Sequence, residues 1–205
     1  MGDEEPINRL ITDRERLPAM FPTHSHKPEF WEHLGRAIAS FGFLEEVLGK
    51  AIFSFTGTRQ YNENEIGVAY KAWLPTLEKA LSGQLVALAD AYNNAARDNP
   101  ATTIDNVPEL VENIKAAAII RNVLCHGSWR GPDVNGASIP FFVNKKKEIF
   151  VTPIDVAYLR QVQQHVAELS CCVIDTVTHM GWQFPGSVGL GKPIWSNDKE
   201  SQATT

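Results

Sequence analysis

Phe30, Leu34, Ile38, Phe41, Leu44, Leu48, Ile52 and Phe55 recur at three- and four-residue intervals, the spacing that stacks apolar side chains along one face of an α-helix. The pattern predicts a first long helix over this stretch, stopped by Thr56, Gly57 and Thr58. A second patterned stretch, Ile66 to Arg97, carries Tyr70, Trp73, Leu77, Leu81, Leu85, Leu88 and Tyr92, with Pro75 and Gly83 interrupting it. An interior proline removes a backbone hydrogen bond and collides with the preceding turn, so this stretch reads as a kinked helix or as two helices. Val107 to Ser128 reads as a further helix, with Asp105 or Asn106 as N-cap, Pro108 in the first turn and Gly127 at the stop. Its sides are apolar almost all round, which places it centrally or against a second subunit.

After Arg130 to Gly136 the period changes to two: "SIPFFV", then "NKKK", then "EIFV". That is a β-hairpin pattern, with Pro140 confining the first strand to an edge. A last helix is predicted with Thr152 as N-cap, Pro153 at its first position and Asp155 in its first turn, through Leu159, Val162, Val166, Leu169, Val173 and Val177 toward Met180. The expected fold is all-α, a bundle of four to five helices with a small β-hairpin inserted before the last long helix. Residues 1–28 form a proline-punctuated N-terminal arm with one amphipathic piece around Ile7 to Leu17. Residues 29–182 form the bundle, and 183–205 a C-terminal tail, largely disordered at its end.

Composition narrows the function classes. The chain has 205 residues, 43% of them hydrophobic, enough for one substantial core. A net charge of −5 does not fit a protein that coats nucleic acid electrostatically, so any RNA contact is expected to be local and no DNA partner is expected. No run is long enough to span a bilayer and no apolar leader opens the sequence, so a cytoplasmic, membrane-free protein is expected. Cys125, Cys171 and Cys172 make an odd count without CxxC spacing, which points to reduced thiols used as small core residues.

Several motifs invite chemistry and fail on context. "GSVGLGKP", Gly186 to Pro193, has phosphate-loop spacing, but Pro193 replaces the hydroxyl residue and no strand precedes it. A glycine-rich loop packing Trp182 and Trp195 is the better reading. His24 and His26 lack a second cluster of ligands, so no metal and no cofactor are expected. Cys125 and His126 are adjacent and point about 100° apart on a helix, which does not suit a nucleophile and its base. Lys145, Lys146 and Lys147 fill the predicted hairpin tip, either as solvated turn residues or as substrate-binding contacts to phosphate.

Three polar residues remain inside the most apolar helix: Arg121, Asn122 and His126. Asn122 and His126 are four apart on one face, where an amide can orient an imidazole. Arg121 lies about 140° around the helix from His126, which suits a site completed by a second copy of the helix across a two-fold axis. Glu45 lines up with Phe41, Leu48 and Ile52 on the edge of the first helix's core face, while Glu46 points further outward. A carboxylate at that edge needs a cation, and Arg121 is the obvious one, so Glu45 is a candidate for positioning it.

The segment "RNVLCH" resembles the R-N-x-x-x-H form of the motif of HEPN domains, helical bundles that commonly dimerise and whose active members are metal-independent endoribonucleases. The resemblance covers the bundle from about Phe30 to Met180, and its specific part is the six-residue motif. It implies His126 as acid–base residue, Arg121 as phosphate-binding residue and Asn122 as an orienting residue. It further implies a homodimer with a composite site, an RNA substrate such as tRNA or another structured loop, and a toxin or phage-defence role with a neutralising antitoxin partner. The alternative is a non-catalytic dimerisation, scaffold or RNA-binding module of the same fold.

Overall fold

The computed structural model describes residues 13–58, 64, 66–68, 70–71, 74–75 and 84–189. Among them the architecture is predominantly helical: after a short 3-10 turn at Arg14–Arg16 come α1 (Pro28–Gly57), α2 (Leu85–Asp98), α3 (Val107–His126) and α4 (Val156–His179). Helix α1 starts where the sequence makes a start cheap. Lys27 is extended, and Pro28 stands at a position whose N–H would have no partner anyway. Its apolar face, Phe41, Leu44, Leu48, Ile52 and Phe55, is fully buried. Helix α1 packs chiefly against α4 and also against α2, while α2 lies on α3. Leu159, Val166, Val173 and Val177 of α4 and Val111 and Ile114 of α3 close the core.

The stretch read as kinked or double has its break before Leu85, where Gln84 is extended and leads into α2. The described residues among 66–75 are helical, with Val68 and Tyr70 exposed. Trp73, Leu77, Leu81 and Gly83 lie outside the described residues, as do Ile7, Trp195 and the end of the "GSVGLGKP" segment. No described helix is long and apolar enough to cross a membrane.

Two expectations need correction, and a third is shown only in part. Helix α4 begins after Asp155, whose carboxylate accepts from Tyr158 N at 2.7 Å, and Thr152 is not its cap. The cause is the preceding residue: Ile154 exchanges two backbone hydrogen bonds with Ser138, both 2.9 Å, which holds the chain extended until 154. The expected hairpin is represented among the described residues by isolated antiparallel bridges, Ser128↔Phe141, Ser138↔Ile154 and Val143↔Ile149, with no strand. Pro140, without an N–H, interrupts any ladder between the first two. Finally, all three cysteines are exposed. On α4 the interior positions beside them are taken by Leu169, Ser170 and Val173, so Cys171 and Cys172 fall on the outer side.

The C-terminal end of α1 is sealed by polar groups. Buried Asn99 donates from Nδ2 to the Phe55 carbonyl at 2.7 Å and to Thr58 Oγ1 at 3.1 Å, and its Oδ1 accepts from Ala101 N at 2.9 Å. Tyr92, fully buried, donates to Thr176 Oγ1 at 2.8 Å. Burial pushes its phenol up to about 12, against a smaller opposing effect of the Thr176 hydrogen bond.

Candidate functional site at the end of α3

Helix α3 buries Val111, Ile114, Ala117, Ala118, Val123 and Leu124, yet Ile119 on its outer side is 59% exposed. Its last turns carry the motif: Arg121 and Asn122 are half-buried, and Cys125 and His126 are exposed. Arg121 Nη2 lies 3.4 Å from Glu45 Oε1, an ion pair between α3 and the middle of α1. Glu46 instead forms an exposed pair with Lys50 one turn along, Nζ to Oε1 2.6 Å. Two adjacent glutamates thus divide between inward and outward partners as their places on the helix require.

The Glu45–Arg121 pair is close but not aligned as a hydrogen bond, so Glu45 Oε1 is buried without a donor. An unsatisfied carboxylate oxygen of this kind costs free energy unless a further donor reaches it. Asn122 and His126 share a helix face, but no hydrogen bond joins them, and neither side chain makes one among the described residues. The site within one chain is therefore an anchored guanidinium with an unanchored amide and imidazole beside it.

Gly127 ends α3 for a steric reason. Its φ of −70° and ψ of 137° are open to any residue, and its N–H donates to the Val123 carbonyl at 2.8 Å. A Cβ there would come within 2.6 Å of that carbonyl and 2.8 Å of Pro140 Cβ. Glycine lets the bridged segment close against the helix end. Ser128 then exchanges two backbone bonds with Phe141, of 2.8 and 2.9 Å. Trp129 enters an aromatic cluster with Phe30 and Trp31, at centroid distances of 5.1 and 6.5 Å. His26 stacks on Phe30 at 4.0 Å and bonds through Nε2 to the Arg130 carbonyl at 2.9 Å, so this arm residue is a structural buried histidine.

Lys145, Lys146 and Lys147 are exposed at the far turn of the bridged segment. Asn144 organises that turn, its Oδ1 accepting from Lys146 N and Glu148 N, each at 2.9 Å. Lys147 adopts a φ of 65°, a left-handed backbone that glycine or asparagine takes more cheaply. Among the described residues, no group of His, Cys, Asp and Glu gathers to hold a metal ion. Trp182 packs on Phe55 at 5.6 Å, and Gly186 and Gly189 have φ of 88° and 79° in the loop that follows.

Two residues near the motif carried no signal of function in the sequence reading: Arg130 and Phe141. Arg130 Cζ lies over the Phe141 ring, 5.4 Å from its centroid, and Phe141 is 50% exposed. The available clue was the period-two alternation of "SIPFFV", which puts Ile139, Phe141 and Val143 on one side of the chain.

Compared with known proteins, the chain matches no family model, no curated protein and no solved structure.

Proposed function

We propose that this protein is a HEPN-like endoribonuclease that cleaves RNA by attack of the 2′-OH on the adjacent phosphate. The observation that supports it most is the pairing of Arg121 with Glu45 beside an exposed His126 at the end of an apolar helix. In this reading His126 accepts the 2′-OH proton, the 2′-oxygen bonds to phosphorus, and the P–O5′ bond breaks. The products are a 2′,3′-cyclic phosphate and a 5′-hydroxyl, whose oxygen takes its proton from water, and His126 returns the proton it accepted to solvent. Arg121, a planar donor that keeps its charge, neutralises the phosphorane, and Asn122 orients the imidazole or a substrate oxygen. RNA supplies its own nucleophile, so this route does not require a metal.

A second copy completes the site. Arg121 and His126 diverge on one helix, and the exposed Ile119 lies one turn before Asn122. A two-fold crossing through Ile119 would bury it and bring each chain's Arg121 toward the other's His126, giving a homodimer with one composite cleft. We read the segment bridged at Val143 and Ile149 as hairpin-like, its lysine tip reaching for phosphate. A cytoplasmic toxin or phage-defence role with an antitoxin partner belongs to the same proposal, by resemblance.

The test is incubation of the purified protein with labelled RNAs in EDTA, alongside His126→Ala and Arg121→Ala. Cleavage that each variant lowers at least about 100-fold, at unchanged melting temperature, supports the reading. A 2′-deoxy substitution at the cleaved position must abolish the cut. Cleavage surviving that substitution overturns the mechanism, and no cleavage across varied RNAs favours a non-catalytic scaffold.

A further inference from the structure

The side chains from 138 to 151 alternate between two environments. Ser138, Pro140 and Ile154 are buried, and Phe142 and Phe150 pack against the core. Ile139, Phe141, Val143, Ile149 and Val151 face outward, exposed by 43, 50, 43, 60 and 70%. Phe141 sits among these aliphatic residues with the Arg130 guanidinium over its ring. The backbone of each is held in place. Phe141 is tied by its backbone to Ser128, two residues past His126, a reach of about 7 Å along an extended chain. Arg130 follows Trp129, which the aromatic cluster holds, and its own carbonyl is bound by buried His26.

The local charge differs from that of the whole. Residues 127–154 hold Arg130, Lys145, Lys146 and Lys147 against Asp133 and Glu148, a net of +2 in a chain of −5. Both acids are already engaged. Asp133 Oδ1 accepts from Asn135 N and Ala137 N, and Glu148 Oε2 accepts from Asn144 Nδ2. None of the four cations forms an ion pair among the described residues. An exposed aromatic ring, a guanidinium over it and unpaired lysines along one strip are what an unpaired nucleotide strand needs: a π-face for a base and positive charge for the backbone. An apolar protein partner would use the aliphatic residues but leave the lysines and Arg130 without a role.

We propose that Phe141 and Arg130 form a base-stacking platform beside the cleavage site, so that the substrate is single-stranded or looped RNA, with Lys145 to Lys147 holding the phosphates beyond. The inference rests on reading the end of α3 as an RNA site. A base-paired duplex keeps its base faces stacked on each other and cannot use the ring.

The test separates the two readings by measuring binding and cleavage independently. His126→Ala full-length protein is titrated with a labelled single-stranded RNA and with the same RNA annealed to its complement. Phe141→Leu and Phe141→Trp are added in the same background. We expect single-strand preference, a loss of about 5- to 100-fold in Phe141→Leu, and retention in Phe141→Trp. Arg130→Lys, which keeps the charge and loses the planar stack, should weaken binding less than Phe141→Leu. Equal single-strand affinity in Phe141→Leu and its parent, with the wild type still cleaving RNA, overturns the platform and leaves the nuclease reading standing. Stacking-dependent binding without any cleavage by the wild type supports the platform and overturns the nuclease. If Phe141→Leu instead dissociates a dimer in sedimentation while RNA affinity per protomer is unchanged, the face is a protein interface and the platform is overturned.

Discussion

The closed end of the bundle, where α1 finishes, and the open end at the last turns of α3, which meet the middle of α1, treat polar groups in opposite ways. Where α1 finishes, Asn99 satisfies a carbonyl, a hydroxyl and an amide at once, and Tyr92 closes on Thr176. Where α3 finishes, Glu45 Oε1 is buried without a donor, Arg121 touches it at 3.4 Å, and Asn122 and His126 make no side-chain hydrogen bond among the described residues. At the closed end these groups are paired inside the chain, because leaving them unpaired costs stability. Groups left open at the surface of a well-packed helix are available to something outside it. The difference makes an asymmetric forecast: substitutions at the closed end should lower stability and spare the proposed RNA cleavage, and those at the open end the reverse.

Asn99→Ala should have the largest effect on the fold. It strands the buried Phe55 carbonyl and removes the partner of the half-buried Ala101 N–H, for a loss of roughly 2 kcal/mol and a Tm lower by about 5 °C. Calorimetry measures the loss, and the proposed RNA cleavage, taken per folded molecule, should match the parent. A fall in activity at full stability would erase the contrast between the two ends.

Tyr92→Phe tests the same end more gently, costing about 1 kcal/mol at neutral pH through the lost bond to Thr176. It also has a signature in alkali. The folded chain holds the phenol neutral up to about 12, whereas an unfolded tyrosine ionises near its ordinary value of 10. The folded state therefore binds more protons between these values, so its stability is intact below about pH 10 and falls as pH rises toward 12, by roughly 2 kcal/mol. Tyr158 and Cys172, also pushed up by burial, act in the same direction. The informative quantity is the difference between variant and parent in denaturant melts from pH 9 to 12. If Tyr92→Phe leaves the alkaline slope unchanged, the Tyr92 hydroxyl is not the sealed group described here.

How much of this could be read from the sequence follows from what each signal depends on. The faces of α1 and α4 were legible because three- and four-residue spacing is a local property of the chain. The Glu45–Arg121 pair was legible because a carboxylate on the core edge of one helix has few cations to meet. The cap of α4 was not, since Asp155 takes that role only because Ile154 is bound across the chain to Ser138. The cysteines were misplaced because helix rotation, which Leu169 and Val173 decide, outweighs a thiol's own preference for the interior. Gly127 was legible as the helix stop, but the steric reason was not, since only the approach of Pro140 shows why a side chain is excluded there.

Glu45→Gln is the smallest perturbation and probes the open end most directly. Both partners of the pair are about a quarter exposed, so solvent screens the attraction and stability should change by less than about 1 kcal/mol. If Glu45 positions Arg121 for a transition-state phosphate, the loss appears in kcat, about two- to fivefold, with KM little changed. Glu45→Asp, which keeps the charge but shortens the reach, should recover part of it at low salt. A residue that merely fills the gap between α1 and α3 would shift the melting temperature and leave kcat alone. Unchanged kcat in folded Glu45→Gln protein would therefore return Glu45 to the fold and leave Arg121 anchored by packing only.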